Sequence, residues 1–396
     1  MAICASVQRV SSPACDAGNV ASLLIIGIGA AFGLTAVGAY ASTLGDVLFA
    51  DGFEESCDID TDNDRLVNCL EVANGTSLTD PDTDDDGLGD GDEVLGTLGG
   101  LNLPALGVNP RRKDVLIEHD WTDDSVDCVA HSHRPPEVAL EELRQMFAAA
   151  PVSNQNGQSG INMINDFGQG GVFAGGNAVS IPDGTIQGDV LGLNFQSVKS
   201  GNFGNNRLGY FHYALHAHRY TSAPGSSGNA EVLGDDLMVT LQCAAIPDFV
   251  LKTTMHEIGH NLALLHGGGT ECNYKPNYNS IMNYEYQFPG IDTNCDRFGD
   301  GPAGYSTGVR AILNESAIFE SIGVCGGVPL DWNGNGTIED GIQADVNGAG
   351  NNTCGGQFTV LTDYNDWSNL IVASLPGTGG GGPTGSVLCQ DTPTLR

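Results

Sequence analysis

Met255-His256-Glu257-Ile258-Gly259-His260-Asn261-Leu262-Ala263-Leu264-Leu265-His266 is the stretch that decides how the rest of this chain is read. On a helix, His256 and His260 stand four residues apart and project from one face, close enough to share an ion. Glu257 sits one position on, beside that ion. His266 lies beyond the helix and joins the pair only if the chain turns back. Three imidazoles would hold a metal and leave one position open for water, the layout of a catalytic zinc site rather than a closed structural one. The residue types suit hydrolysis. Zinc polarises a carbonyl and lowers the pKa of its water to about 7. Glu257 can take the water's proton and hand it to the leaving amine.

Two histidines around a Glu on one helical turn form the zinc-protease signature. The third His falls six residues after the second, and Ser280-Ile281-Met282-Asn283-Tyr284 follows after a further loop. Together these motifs resemble the metzincin clan of zinc endopeptidases, in which H-E-x-x-H-x-x-G-x-x-H precedes a tight turn whose Met underlies the zinc. The Ser-Ile-Met-x-Tyr turn is most similar to the astacin and serralysin branches. The resemblance implies zinc on His256, His260 and His266, with Glu257 as general base and Met282 beneath the site. It implies that Tyr284 lies on or near the metal, or stabilises the oxyanion. It also implies an α+β catalytic domain, a twisted mixed sheet with a backing helix and a zinc-site helix. One residue departs from the family: its Gly falls at Ala263. A left-handed non-Gly residue there costs about 1–2 kcal/mol; alternatively the helix ends differently, helped by Gly267-Gly268-Gly269. A rival ligand scheme puts Glu271 or Glu285 in place of His266.

The length of 396 residues suits about two domains plus appendages. Lys and Arg number 15 against 49 Asp and Glu, a formal net charge of −34. That balance argues against nucleic acid and anionic membranes as partners. Residues 1–41 read as an export signal: Arg9, an apolar run from Val20 to Val37, and Ala39-Tyr40-Ala41 as a cleavage site before Ser42. An uncleaved anchor is the alternative. No later run is long and apolar enough to span a bilayer. The expected protein is therefore secreted, monomeric and free of stable membrane insertion after cleavage, and acts on protein or peptide substrates. Of the 11 cysteines, Cys4 and Cys15 belong to the N-terminal segment, and export makes disulfides the expected state of the rest, which as an odd number cannot all pair within one chain. Near-neighbour pairs are Cys57 with Cys69, Cys272 with Cys295, and Cys325 with Cys354, although connectivity is not readable from spacing.

Residues 42–110 read as a spacer and two acidic repeats. Asp60, Asp62, Asp64, Asn68 and Glu71 fall at positions 1, 3, 5, 9 and 12 of a calcium loop, as do Asp82, Asp84, Asp86, Asp90 and Glu93. Gly87 takes the sixth position in the second repeat; Arg65 takes it in the first. The stretch resembles the thrombospondin type-3-like repeats of secreted proteins and, with the Gly-rich run 96–107, reads as a linker-like module. Residues 111–324 form the expected catalytic domain. Its strands fall near Val115-Leu116-Ile117, Ile161–Ile164, Leu208–Tyr220 and Asp236–Cys243, a helix covers Glu137–Ala150, loop fills Gly168–Gly209, and Pro247 opens the zinc helix. His131 and His133, or His212, His216 and His218 along one strand face, could hold a second metal, but loop and sheet-surface histidines are the expected reading. Asn314–Ile322 suggests a short helix. Residues 325–372 open with Asp331, Asn333 and Asn335, a further calcium-loop beginning without a Glu at position 12; Asp340 or Asp345 could complete it. A last helix is expected over Leu361–Leu370 with Trp367 inward, then a flexible tail over 373–396 carrying Gly377–Gly382 and Cys389. Two rivals remain to the protease reading. One is an inactive metzincin-like fold serving as a calcium-dependent binding or adhesion protein. The other is a zinc hydrolase with a non-peptide substrate. Glu257 alongside all three histidines favours activity.

Overall fold

The computed structural model describes residues 58–348, 352–373 and 387–390. The expected export signal and its cleavage site, Cys57 and the run Gly377–Gly382 lie outside the described residues. Each acidic repeat leads into a short helix, α1 (Asn68–Asn74) and α2 (Asp90–Leu95), and α3 (Leu103–Leu106) follows. Next come β1 (Asp114–Asp124), β2 (His131–Ser132), α4 (Glu137–Ala148), β3 (Asn162–Asp166), β4 (Ala178–Val179) and β5 (Thr185–Ile186). The chain continues through α5 (Leu193–Asn202), β6 (His212–His216), β7 (Arg219–Tyr220), β8 (Gly228–Val232), β9 (Asp236–Val239) and α6 (Pro247–Asn261). Short strands complete it: β10 (Leu313–Asn314), β11 (Ile318–Phe319), β12 (Asp340–Ile342), β13 (Val360–Leu361) and β14 (Val387–Gln390).

The main sheet is mixed, in the order β14-β8-β9-β6-β1-β2, with β3 and β4 also on β1. β1 runs parallel to β3, β4 and β6, and β6 runs parallel to β9. The pairs β8–β9, β8–β14 and β1–β2 are antiparallel. Apolar residues on both faces of β1 and β6 reflect burial on both sides, as parallel strands require. One face packs on α4 and α6 through Val115, Ile117, Leu143, Phe147, Leu251, Met255 and Ile258. The other face packs with Phe195 of α5 through Leu116, Tyr213, Leu215 and Met238. Pro247 is the first residue of α6, where a missing N–H costs nothing.

Several expectations change in three dimensions. The second acidic repeat does not trail as a linker: Leu88, Leu101, Leu103 and Leu106 are buried in the same core as Leu116 and Ile164. The stretch expected to be loop holds α5, which buries Phe195 and Lys199. No helix forms at Asn314–Ile322 or Leu361–Leu370. β10 pairs with β13 and β11 with β12, so long-range pairing overrides local propensity there. Trp367 does point inward, edge-on to Phe147 with centroids 5.5 Å apart. β14 falls inside the expected flexible tail and lies along β8 with Val387 opposite Val232.

Among the described residues, disulfides join Cys272 to Cys354 and Cys295 to Cys325, in place of the expected Cys272–Cys295 and Cys325–Cys354 pairs, and Cys128 to Cys243. The exchange has a spatial cause. The turn at 352–354 docks on the loop after His266, where the Asn273 N–H donates to Thr353 Oγ1 at 3.1 Å. No helix among the described residues is long and apolar enough to cross a membrane.

Candidate metal centre

His256 and His260 lie on α6, both fully buried, with Nε2 atoms 3.1 Å apart. Nδ1 of His256 lies 2.7 Å from the Ile281 carbonyl, and Nδ1 of His260 lies 2.7 Å from the Leu264 carbonyl. A carbonyl only accepts, so each Nδ1 carries the proton and donates. In the neutral imidazoles the two Nε2 lone pairs then face each other, which suits a shared cation. This is the usual outer arrangement of metal-binding histidines.

α6 ends so that His266 can return. The Ala263 N–H donates to the His260 carbonyl and the Leu264 N–H to the Gly259 carbonyl, closing a Schellman motif. Ala263 itself takes the left-handed conformation at φ 79°, at the position where the motif it resembles has Gly. Leu265 then bridges Gly268 and brings His266 to the other two rings. One ring nitrogen from each of His256, His260 and His266 lies within 4.8 Å of the others. Glu271 does not replace His266: its carboxylate lies 3.3 Å from His266 Nδ1, an orienting position.

The surroundings are fitted closely. Met282 is fully buried, and its Sδ would stand 2.5 Å from a Cβ added to Gly259, so the sulfur packs directly on the helix backbone between the two histidines. Tyr284 lies beside the cluster, its ring centroid 4.4 Å from that of His266 and 6.0 Å from that of His256. Glu257 is fully buried against the start of β8, where a Cβ on Gly228 would meet Glu257 Oε1 at 2.1 Å. Three converging imidazole nitrogens form a donor set that fits Zn2+ with an open position.

The acidic repeats form oxygen clusters. One carboxylate oxygen from each of Asp60, Asp62 and Asp64 lies within 4.8 Å of the others, and so do those of Asp82, Asp84 and Asp86. Asp86 also meets Glu93 and Asp114, the last at the start of β1 and legible in sequence only as a strand residue. Asp60 accepts the N–H groups of Asn63 and Arg65, and Asp82 those of Asp86 and Gly87. Asp331 accepts those of Gly334 and Gly336. The fourth and sixth positions are left-handed in all three loops: Asn63 and Arg65, Asp85 and Gly87, Gly334 and Gly336. Arg65 is held there by Asp92 and the Gly96 carbonyl. Asn68 and Asp90, at the ninth positions, accept hydrogen bonds from Thr61 and Thr83. Glu71 is fully buried, and burial, then Asp62 and Asp64, push it up to about 7. Burial, then neighbouring carboxylates, push Asp84 up to about 7 and Glu93 up to about 12.

The Asp331 loop is exposed. Asn335 donates to Glu339 at 2.6 Å, and Asp340 accepts from Ser321 rather than completing the loop. A fourth loop of the same shape went unread. Asp292 accepts from Cys295 and Arg297, both left-handed, and Asp300 at position nine accepts from Thr293. Asp292, Asn294, Asp296 and Asp300 carry the spacing in sequence. Here Arg310 supplies the cation, its Nη1 3.0 Å from Asp292 Oδ2.

No protein-family model matches the chain, and no curated protein matches it. Among solved structures it is similar to the crystal structure of archaemetzincin from Methanopyrus kandleri. The match has 14% identity and a TM-score of 0.24, and covers 43% of this chain and 81% of that one. An overlap of that size carries no argument, so the functional reading rests on the site itself.

Proposed function

We propose that this protein is a secreted zinc-dependent metalloendopeptidase of metzincin type, acting as a monomer on protein or peptide substrates. The observation that carries the reading is the convergence of His256, His260 and His266, with the buried Glu257 next to His256 in the chain on the same helix. When bound, Zn2+ acidifies a water to a pKa of about 7 and polarises the scissile carbonyl. Glu257 accepts the proton of the attacking water and returns it to the leaving amine. Its burial strengthens that exchange, because charge in a low-dielectric pocket is poorly screened. Tyr284, whose ring packs against His266, would donate its phenol hydrogen to the developing oxyanion. Ile281 and Leu264 hold the two helix histidines in one tautomer.

The carboxylate clusters at Asp60–Asp64 and Asp82–Asp86 support a second part of the reading, calcium bound in both acidic loops as a stabiliser. The Asp331 loop shares their backbone, and calcium there is the weaker assignment because its carboxylates are fewer and exposed.

The test is Glu257→Ala. The variant should keep its zinc and lose peptide hydrolysis by at least about 100-fold, the scale of a lost general base. Wild-type turnover of peptides by that variant would remove Glu257 from the mechanism. Zinc bound with no hydrolysis of any peptide pool by the wild type would favour the binding-protein alternative.

A further inference from the structure

The two histidine sets read separately along the chain meet in space. β1 ends at Asp124, and the hairpin through β2 carries His131 and His133 back to it. β6 runs beside β1 and delivers His218 just past its end. His212 and His216 stay out of this group: His212 contacts Asn261, and His216 contacts His119 across the sheet. One ligand atom from each of Asp124, His131, His133 and His218 lies within 4.8 Å of all the others. The Asp124 carboxylate is 2.8 Å from His133 Nε2 and 3.4 Å from His218 Nδ1, while His131 Nδ1, 2.9 Å from the Val129 carbonyl, carries the proton and leaves Nε2 as that ring's ligand atom. Four ligands at about 2.0–2.1 Å from a tetrahedral Zn2+ stand about 3.3 Å apart, so these separations bracket the expected spacing.

The cluster is built and enclosed. His218 is fully buried, and neither of its ring nitrogens makes a hydrogen bond. An imidazole buried that way costs stability unless something accepts its lone pair. The side chains of Asp124, His133 and His131 are 2%, 3% and 20% exposed. Protonating all three rings around one carboxylate would pack three like charges together; leaving them neutral leaves the buried lone pair of His218 without a partner. A cation resolves both. The backbone closes over the group at Gly184, where an added Cβ would stand 2.7 Å from Asp124 Oδ2 and 2.9 Å from His218 Cβ. The Cys128–Cys243 disulfide ties down the hairpin beside it, with Cys128 Sγ 3.5 Å from His131 Nδ1. Asp127 Oδ2 lies 3.7 Å from His218 Nε2, an outer carboxylate on the far ring nitrogen.

We propose that Asp124, His131, His133 and His218 bind a second Zn2+, distinct from the ion of the α6 site, that locks the β1–β2 hairpin onto the end of β6. Three imidazoles and one carboxylate select zinc over calcium or magnesium, which prefer all-oxygen shells. Four protein ligands fill a tetrahedral shell, so this ion is structural and takes no substrate.

The test is metal counting on the full chain in excess calcium, which keeps zinc off the acidic loops. The wild type should hold two zinc ions. His256→Ala with His260→Ala should leave one, and cobalt substituted into that variant should give the intense visible bands of a tetrahedral site. His131→Ala, at the most exposed ligand, should keep the fold and weaken the second zinc at least tenfold in Kd. His133→Ala with His218→Ala should remove that zinc outright. The proposal is overturned if the His256→Ala/His260→Ala chain is folded by circular dichroism yet binds no zinc. It is equally overturned if His131→Ala leaves the second Kd unchanged. Neither count depends on peptide hydrolysis, so a failed protease reading and a failed second site give different results.

Discussion

At the scale of single residues, two positions set the working geometry around α6. Gly228 is the first. Its missing Cβ makes room for the buried Glu257 carboxylate, and an added Cβ would also stand 2.8 Å from the Met238 carbonyl. Gly228→Ala should push the carboxylate off its position while sparing the three histidines. The expected result is full zinc content with kcat/KM for a peptide reduced by about 10–100-fold, since a base moved by an ångström loses much of its effect. Equal activity in variant and wild type would show that Glu257 has room to spare. Ala263 is the second. It holds a left-handed conformation that disfavours a side chain. Ala263→Gly should relieve that strain and raise stability by about 1 kcal/mol in denaturant unfolding, with activity and zinc unchanged. A loss of stability would mean that the Ala263 methyl packs well enough to outweigh its backbone.

The acidic loops belong to the scale of elements, and their pH response carries a definite sign. Burial and the Asp82 charge raise Asp84 from the ordinary carboxylate range to about 7 in the folded chain. Without a cation, the unfolded carboxylate ionises near pH 4 while the folded one resists. The folded state then binds more protons between about pH 4 and 7, so stability falls as pH rises through that window. Glu93 acts in the same direction and extends the window upward. Bound calcium requires the ionised carboxylates and reverses the slope. Thermal unfolding from pH 5 to 7.5 should therefore show stability falling with pH in a calcium-selective chelator and rising with pH in calcium. Parallel slopes under the two conditions would mean that these loops take no ion. Because Leu88, Leu103 and Leu106 share the core of the sheet, the effect should appear in the main unfolding transition.

For the whole molecule, the covalent links decide which segments are held near the metal centre. Cys272–Cys354 closes a loop of sequence separation 82 that contains Met282 and Tyr284. In the chain-entropy model such a closure contributes about 4–5 kcal/mol. Cys272→Ala with Cys354→Ala should lower the unfolding midpoint and, near that midpoint, the zinc content, because the His256 partner Ile281 lies in the released loop. Unchanged stability in the double variant, with Cys128–Cys243 and Cys295–Cys325 intact by mass mapping, would show that Lys275 and Asn277, which donate to carbonyls at 267, 311, 361 and 362, already hold the loop.

The sequence by itself determined what depends on spacing within a few turns. His256 and His260 share a helix face because four residues make about one turn, and Pro247 marks where that helix starts. The alternating Asp60, Asp62 and Asp64 and their second copy dictate a loop in which the Asp60 and Asp82 carboxylates accept hydrogen bonds from the backbone N–H groups of Asn63, Arg65, Asp86 and Gly87. The helix reading at Ala263 was open because a Gly was missing; local hydrogen bonds at Gly259 and His260 settle it. Contacts between distant segments were decided only in the tertiary structure. Cys272 meets Cys354 because a turn eighty residues later docks on its loop, which near-neighbour reasoning does not see. Leu313–Asn314 and Ile318–Phe319 are strands because Val360–Leu361 and Asp340–Ile342 pair with them, whatever their own helix preference. Asp114 joins Asp86 and Glu93 only because the acidic repeat docks on β1. Asp124, His131, His133 and His218 become neighbours only because β6 lies parallel to β1: pattern along a chain fixes which face a side chain takes, and strand order fixes what that face meets.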